Sequence, residues 1–328
     1  MAMFSVEQEK FGKYTKIVLK NLINDELIAF IPDFGANIIE MKLHCGDKLC
    51  SILDGYDTSL ELLTHQYFKN AKLSPFPNRI RDGRYRFNGN DFQLPLNNSV
   101  EHHALHGFIW NRKFELVDTD VRDDRAVATL RIDYDGLVAG YPFPFRMELQ
   151  YALNLHEGFR CTTKIKNTGT EKMPIGDGWH PYFKMNGHIT DFIIEMPPSD
   201  LLELDERLIP TGRLLKVEEQ ERFLNIGESD IDQCYKIQKN GSICNTKLCN
   251  SKTGCRVYLW QETGAKKYNY IQVYVPPSRQ SIAIEPMSCA PNAYNNNQGL
   301  IVLEPGESFQ AAYGIYYKNE PIKQVISR

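Results

Sequence analysis

The chain has 328 residues, of which 38 are lysine or arginine and 41 are aspartate or glutamate, giving a net charge of −3. A charge this close to zero excludes the strongly basic surface that attracts nucleic acid or an anionic membrane, so we expect neither as a partner. No segment approaches the roughly 20 consecutive apolar residues that cross a bilayer, and the N-terminus lacks the pattern of a signal peptide. We therefore expect a cytoplasmic protein.

The predicted elements, taken in chain order, are almost all β-strands. Each is a stretch of alternating apolar and polar residues, or a short apolar run between turn residues. They are KIVLKN (16–21), LIAFIP (27–32), NIIEMKL (37–43), YRFNG (85–89), FELVDT (114–119), AVATLRIDY (126–134), FRMELQYALNL (145–155), FRCTTKIKN (159–167), FIIEM (192–196), RVYLWQE (256–262), YNYIQVYV (268–275), SIAIEP (281–286), LIVLEP (300–305) and AAYGIYY (311–317). Helical periodicity is scarce, and the best short helix candidate is TSLELLTHQYF (58–68).

The clearest element is a long antiparallel hairpin over residues 145–167. Apolar residues occupy every second position from Phe145 to Leu155, HEG turns the chain, and FRCTTKIKN alternates as well. Because strands do not alternate with helices along the chain, a parallel α/β fold is disfavoured. We predict a single domain over residues 1–328, folded as a large antiparallel β-sandwich, all-β with few short helices.

One histidine, His180, lies in the aromatic segment GDGWHPYF (176–183). A residue before proline is pushed out of the α region, and proline donates no ladder hydrogen bond, so we expect His180 at the end or edge of a strand. Aromatic neighbours that exclude water suit an imidazole to acid–base catalysis near neutral pH. The alternative is a structural histidine that is hydrogen-bonded within the core.

Two glutamates precede proline after apolar strands. Glu304 is followed by Pro305 and Gly306, which is the signature of a turn. Glu285 lies in SIAIEPMSCAPNAYN (281–295), which has no such signature. We therefore predict that Glu304 is a turn residue, and that Glu285 is a functional carboxylate at a strand end and a candidate base.

The segment FPNRIRDGRYRFNG (76–89) opens a turn before a strand and contains candidate binding groups. Asn78 and Arg79 stand first in it, and a guanidinium is well suited to acceptors such as sugar hydroxyls. We expect Arg81 and Arg84 on the solvated face.

The segment EHHALHGF (101–108) contains His102, His103 and His106. His106 precedes a glycine, at a position where the backbone can approach a ligand closely. The H-x2-H spacing loosely resembles a metal-binding pair, but no carboxylate nearby completes a ligand set, so we predict no metal here.

Eight cysteines are spread thinly along the chain, which disfavours a disulfide framework. Cys244, Cys249 and Cys255 are spaced more widely than the cysteine pairs of structural zinc sites. We expect reduced thiols in or near strands.

Six short motifs, in this order, make the chain resemble the aldose 1-epimerase (galactose mutarotase) family. They are NRIRDGRYRFNG (78–89), LHGF (105–108), HPYF (180–183), IDQCY (231–235), IQVY (271–274) and IEPMS (284–288). Each is weak alone, but their number and order over most of the chain make the match specific. One glycine follows the histidine of LHGF where the best-known galactose mutarotases often carry two, which indicates a divergent member.

The resemblance implies a galactose-mutarotase-like β-sandwich that interconverts the α and β anomers of a free aldohexose. Carried over to this sequence, it implies Glu285 as general base and His180 as general acid. His106 would be a second active-site histidine, near the ring oxygen of the sugar. No metal and no organic cofactor is implied.

The same resemblance implies which residues would bind the sugar, the expected small-molecule partner. Arg79 and Asp232, with Asn78 beside them, would bind its hydroxyls. Three aromatic residues would pack against the apolar side of the sugar, namely Trp179, Tyr182 and Phe108.

Three alternatives stay open at this point. An epimerase of a hexose 6-phosphate or another anionic sugar would need converging cations, for which Arg79, Arg81, Arg84 and Arg112 are available. A non-catalytic sugar-binding protein would keep the cleft but would need neither acid nor base. A hydrolase or lyase acting on polysaccharide would need a long open cleft. The sequence also leaves open whether the protein is a monomer or a homodimer.

Overall fold

A computed structural model describes residues 3–64, 66–238 and 241–318. The predicted domain of residues 1–328 therefore includes positions outside the described residues, at both ends, at 65 and at 239–240. In the described ranges the chain is almost entirely β-structure, which confirms the predicted fold class.

The strands are numbered in chain order. They are β1 (Phe4–Phe11), β2 (Tyr14–Asn21), β3 (Leu27–Ile31), β4 (Asn37–Cys45), β5 (Lys48–Ser51), β6 (Lys72–Leu73), β7 (Arg79–Ile80), β8 (Arg84–Phe87), β9 (Asn90–Gln93), β10 (Ala104–Leu105), β11 (Glu115–Arg122), β12 (Arg125–Tyr134), β13 (Phe145–Asn154), β14 (Gly158–Asn167), β15 (Met173–Ile175), β16 (Gly178–Trp179), β17 (Tyr182–Phe183), β18 (Phe192–Glu195), β19 (Ser199–Leu204), β20 (Pro210–Lys216), β21 (Phe223–Asn225), β22 (Asp232–Ile237), β23 (Ile243–Asn250), β24 (Arg256–Glu262), β25 (Tyr270–Tyr274), β26 (Ile282–Met287), β27 (Ile301–Leu303) and β28 (Ser308–Tyr317).

Helices are short. The α-helices of the described ranges are α1 (Ser59–Thr64) and α2 (Ala293–Asn296), and single 3-10 turns occur at Gln66–Phe68, Arg81–Gly83, Ile189–Asp191 and Glu219–Arg222. The predicted helix at 58–68 thus corresponds to α1 and the 3-10 turn after it. None of these helices has the length and apolarity that crossing a membrane requires.

Two large antiparallel sheets form the sandwich. Over the described residues one sheet has the order β11-β12-β13-β14-β28-β24-β23-β18-β21, and the other has the order β20-β19-β22-β25-β26-β16-β6, with β17 also paired to β26. Aromatic rings from both sheets meet between them: the ring of Trp179 lies 5.8 Å from that of Tyr151 and 5.7 Å from that of Tyr313. Each such ring buries about 150–250 Å², so this aromatic layer contributes much of the hydrophobic stabilisation.

Smaller sheets complete the fold. Strands β1 to β5 form a five-stranded antiparallel sheet, which packs on the sandwich where the ring of Phe30 meets that of Tyr151 edge-on at 4.8 Å. The two-stranded sheet of β7 and β10 pairs Arg79 with Leu105. This pairing brings the NRIRDG and LHGF motifs together.

The predicted hairpin of residues 145–167 is confirmed. β13 and β14 pair without a bulge from Phe145 opposite Asn167 to Asn154 opposite Gly158. Every second residue of β13 from Phe145 to Leu153 is buried, as predicted, because the face of the strand that they form covers the core.

One expectation about the cysteines is wrong. Cys45, at the end of β4, forms a disulfide with Cys255, which lies 210 positions further along the chain just before β24. Cys255 therefore cannot act as a free thiol beside Cys244 and Cys249. Nothing in the local sequence distinguishes this pair, because only the tertiary fold, in which β4 packs against β28 and β28 pairs with β24, brings the two residues together.

Candidate active site

Glu285 lies inside β26, opposite Gln272 of β25, which corrects the prediction that it occupies a strand end. The strand tolerates Pro286 because the ladder on its β16–β17 side is broken: Met287 pairs with Gly178 and Ala283 pairs with Tyr182, and in the described part of the chain residues 284–286 have no ladder pair on that side. On the same side, the Ile284 N–H donates to the Pro181 carbonyl at 3.2 Å. The Glu285 side chain is held in the interior and is only 2% exposed.

His180 lies between β16 and β17, which confirms its predicted place at a strand end. Its N–H donates to the Ala71 carbonyl at 3.1 Å, and its carbonyl accepts from the Asn70 N–H at 3.0 Å. The imidazole stacks on the ring of Tyr182, with centroids 4.9 Å apart and planes within 2°. In this position His180 Nε2 lies 3.3 Å from Glu285 Oε1. An imidazole and a carboxylate are thus in reach of one another for proton transfer.

His106 joins this pair from the loop after β10, with its ring centre 5.1 Å from that of His180. Its Nδ1 accepts the backbone N–H of Asn78 at 3.1 Å. In the neutral ring the proton is therefore on Nε2, which makes Nε2 a hydrogen-bond donor. The next residue, Gly107, has φ +67°, and a Cβ there would lie 2.1 Å from the Ser74 carbonyl oxygen. Only glycine lets the chain pass at this point.

Among the described residues, one group of side chains could hold a metal ion: His106, His180 and Glu285, with ligand atoms within 4.8 Å of one another. Zinc enzymes do use two histidines and a glutamate. Here, however, the bond from Asn78 N–H to His106 Nδ1 leaves a proton rather than a lone pair on Nε2. The three groups therefore fit proton transfer and hydrogen-bond donation better than metal coordination.

A row of polar side chains lies beside Glu285. Arg79 Nη2 is 3.4 Å from Asp232 Oδ2, and Arg79 Nη1 donates to Asn78 Oδ1 at 3.2 Å. Gln272 connects Asp232 with Asn78. Its Nε2 donates to Asp232 Oδ1, and its Oε1 accepts from Asn78 Nδ2 at 3.2 Å. Donors and acceptors held in this way suit the hydroxyl groups of a polar ligand.

Burial controls the protonation of the carboxylates. It raises the pKa of Glu285 well above the ordinary value of 4.5; the charge of Asp232 raises this pKa further, and Arg79 opposes the rise. Burial also raises the pKa of Asp232, again against the opposing effect of Arg79. Oε2 of Glu285 has no hydrogen-bond partner within the described part of the chain. A buried carboxyl group with a raised pKa and an open oxygen has the properties of an acid–base catalyst.

A known family of proteins matches most of the chain. The family model described as aldose 1-epimerase matches residues 18–316. The chain belongs to the aldose 1-epimerase family. Members of this family are isomerases.

The individual proteins that this aldose 1-epimerase family member resembles differ considerably from it in sequence. The uncharacterized protein YihR of Escherichia coli K12 is 31% identical over 254 residues, which cover 74% of this chain and 77% of YihR. The galactose mutarotase of Sus scrofa is 27% identical over 227 residues, 66% of this chain and 64% of that protein. A crystal structure of a galactose mutarotase-like protein from Clostridium acetobutylicum has a TM-score of 0.84 at 20% identity, covering 97% of this chain and 99% of that one. The last comparison shows a shared fold.

The prediction that Trp179 lines the pocket of this aldose 1-epimerase family member is wrong. Lys72 Nζ lies 4.5 Å from the centre of the Trp179 ring, whose Nε1 donates to Thr163 Oγ1 at 3.3 Å in the core. Successive residues of a strand point to opposite faces, so Trp179 faces the core while His180 faces the site.

The other two aromatic candidates, Tyr182 and Phe108, lie in different surroundings. Tyr182 is 1% exposed and lies against His180, and its hydroxyl donates to the Tyr67 carbonyl at 3.0 Å. It therefore supports the imidazole from behind. Phe108 is half-buried and packs on the rings of Tyr134 and Tyr141, at 4.9 and 5.6 Å.

Three residues considered from the sequence lie outside the site. Glu304 is exposed at a turn, as predicted, and pairs with Lys172 at 2.7 Å. His102 is exposed, whereas His103 is buried and its Nδ1 accepts the Asp82 N–H at 3.2 Å. His103 is the first histidine of the H-x2-H spacing, and its Nε2 lies 3.1 Å from the Arg207 carbonyl oxygen, so both of its ring nitrogens already have partners in the protein.

Sequence reasoning missed two residues that complete the arrangement. Gln272 lies in the IQVY motif and is 2% exposed. A lone glutamine in an apolar strand was a usable signal, because a buried amide needs partners. The ring of Phe68 lies 4.8 Å from that of His106 and 5.5 Å from that of Trp110. No local pattern predicts that contact.

Proposed function

We propose that the protein is a mutarotase that interconverts the α and β anomers of an uncharged aldohexose. The observation that carries the proposal is the buried contact of 3.3 Å between His180 Nε2 and Glu285 Oε1. Sugar binding alone requires no carboxylate whose burial raises its pKa, and no imidazole beside it. This contact therefore favours an enzyme over a non-catalytic sugar-binding protein.

In the proposed reaction Glu285 removes the proton from the C1 hydroxyl while His180 delivers a proton to the ring oxygen. The bond between C1 and the ring oxygen breaks as the C1 carbonyl forms, which gives the open-chain aldehyde. Rotation about the C1–C2 bond presents the other face of the carbonyl, and reclosure uses the same two groups with their roles reversed. Protons balance over the cycle and no redox partner is consumed.

The bound sugar would separate the two groups, with its C1 hydroxyl at Glu285 and its ring oxygen at His180. A correctly placed acid or base typically supplies about 10²–10⁴-fold in rate. His106, a donor through Nε2, would hydrogen-bond an oxygen near the ring. Arg79 and Asp232 would hold hydroxyl groups and keep the flexible open-chain intermediate in place.

The charges near the site favour an uncharged sugar over a hexose 6-phosphate. Arg79 is ion-paired with Asp232, and Arg81 is ion-paired with an aspartate as well. Arg84 and Arg112, the other two arginines considered, are exposed. An anionic group would therefore meet cations that carboxylates already neutralise, instead of the unpaired cluster that phosphate recognition uses.

Comparative anomerisation rates test this proposal. We expect the protein to speed the equilibration of freshly dissolved α-glucose or α-galactose more than that of their 6-phosphates. A strong preference for the phosphates would favour the anionic-sugar alternative. Spontaneous rates for every sugar, together with measurable sugar binding, would favour the non-catalytic alternative.

A further inference from the structure

A buried ion pair lies in the core on the other face of the strand that leads to His180. Lys72 Nζ is 2.5 Å from Asp177 Oδ2, and the two side chains are 0% and 1% exposed. The ammonium also donates to Thr163 Oγ1 at 3.3 Å and lies over the ring of Trp179. The Tyr268 hydroxyl donates to the same Asp177 oxygen at 2.8 Å. Thr163, Trp179 and Tyr268, all core residues, thus surround the ion pair.

Stability alone does not explain an ion pair at this depth. Burial lowers the pKa of Lys72 and raises that of Asp177, and in each case the charge of the partner opposes the change. The desolvation of two charges offsets much of their attraction, and apolar residues of similar size often stabilise a core equally well. A buried pair does favour one arrangement of the chain, because another arrangement leaves a charge unpaired.

The pair joins the two chain segments that hold His180. Lys72 lies opposite Trp179 in the ladder between β6 and β16, and Asp177 immediately precedes β16. On the same two segments, the Ala71 carbonyl accepts the His180 N–H. The ion pair and the backbone hydrogen bond of His180 therefore depend on the same register, that of β16 against β6.

The ladder between β6 and β16 is two residues long on each side, and the hydrogen bonds from the Gly176 N–H to the Pro75 carbonyl and from the Asn70 N–H to the His180 carbonyl extend it. The ion pair adds side-chain support to this short ladder. A shift of one residue turns every side chain of a strand to the opposite face. Such a shift would turn His180 away from Glu285 and into the core. It would also separate Lys72 from Asp177 and leave two buried charges unpaired, at a large cost in free energy.

We propose that Lys72 and Asp177 are positioning residues, whose ion pair fixes the register of β16 against β6 so that the His180 imidazole faces Glu285. Neither residue touches the sugar in this role. Its catalytic consequence rests on the proposed function, because it requires that His180 transfers a proton.

The double variant Lys72→Leu with Asp177→Leu tests the proposal, because it removes both charges and leaves neither unpaired. We expect a folded protein, by circular dichroism and thermal unfolding, whose kcat falls by about 10- to 100-fold while KM changes little. The ¹⁵N signals of the His180 imidazole should shift as well. As a control, Glu195→Gln with Lys247→Met removes an ion pair of 3.0 Å whose side chains are each 35% exposed, and should leave all three readouts unchanged.

Tyr268→Phe is the second variant, for use where the double variant does not fold. It removes the hydroxyl that donates to Asp177 and preserves the shape of the ring, so we expect a smaller loss of kcat and a shift of the His180 signals. The proposal is overturned if the folded variant keeps both the kcat and the His180 signals of the wild type. Should the wild type itself not accelerate mutarotation, the proposed function fails, and the imidazole signals alone decide the positioning role.

Discussion

The backbone N–H of Asn78 donates to His106 Nδ1 at 3.1 Å, and the backbone N–H of His106 donates in return to the Asn78 carbonyl at 2.9 Å. The side chain of the same asparagine accepts from Arg79 and donates to Gln272. One residue therefore connects the histidine side of the site with the side proposed to bind hydroxyls.

Replacing Arg79 tests the hydroxyl-binding side. Hydrogen bonds to a charged group contribute about 1.5–3 kcal/mol, which corresponds to a rise in KM of about 10- to 100-fold for Arg79→Ala. We expect kcat to change less, because Arg79 is assigned to the sugar hydroxyls and acts on Glu285 only through its charge, which lowers the pKa of that carboxyl group. Arg84→Ala is the control, since Arg84 is exposed and donates to Gln93. A loss confined to kcat in Arg79→Ala would contradict the assignment.

The raised pKa of Glu285 predicts a pH-dependent gain in stability for Glu285→Gln. Between the unfolded value of 4.5 and the raised folded pKa, the folded wild type binds more protons than the unfolded chain, so its stability falls as pH rises. Glutamine does not titrate, and each unit of raised pKa corresponds to about 1.4 kcal/mol. The Tm difference in favour of the variant should therefore be larger at pH 8 than at pH 4.5. An equal difference at both values would contradict the burial argument.

Gly107→Ala should destabilise the protein more than Gly89→Ala. Both glycines have positive φ, which costs an alanine about 1–2 kcal/mol. At Gly107 the new Cβ would also lie 2.1 Å from the Ser74 carbonyl oxygen, whereas at Gly89 nothing lies within 4 Å. Urea unfolding measures the two losses, and activity should fall only for Gly107→Ala because His106 is its neighbour. Equal losses would show that the close approach does not matter.

The disulfide between Cys45 and Cys255 predicts a stability that depends on reductant. A cross-link closing a long loop typically contributes about 2–4 kcal/mol to the free energy of unfolding. Dithiothreitol should therefore destabilise the wild type and leave a Cys45→Ser, Cys255→Ser double variant unaffected. Thiol titration of the unfolded, unreduced protein should find the six free cysteines. Eight reactive thiols would mean that the bond is absent.

The alternation of apolar and polar residues along the sequence is sufficient to predict many strands of the sandwich. The hairpin of β13 and β14 has a clear period of two because one face covers the core. Strand β20 was missed because almost every residue in it is exposed, which removes the alternation. The prediction for Glu285 was wrong in its position within the strand, since a proline inside a strand is tolerated only where a neighbour is interrupted, and the sequence does not show interruptions.

The candidate site was only partly predictable for similar reasons. His106, His180 and Glu285 each stand beside a glycine or proline that marks an unusual backbone. The role of Trp179 could have been corrected from the sequence, because adjacent residues of a strand face opposite ways. Gln272 could be placed only once the register of β25 against β26 was known.

The most direct test of acid–base catalysis is polarimetry of freshly dissolved α-aldohexose with the wild type and two matched glutamate variants. Glu285 and Glu304 both precede proline, but Glu304 is 57% exposed and paired with Lys172. We expect the wild type and Glu304→Gln to accelerate equilibration equally, and Glu285→Gln to lose about 10²–10⁴-fold of that acceleration. Equal rates for Glu285→Gln and the wild type would contradict the role of Glu285 as the proton-transferring group.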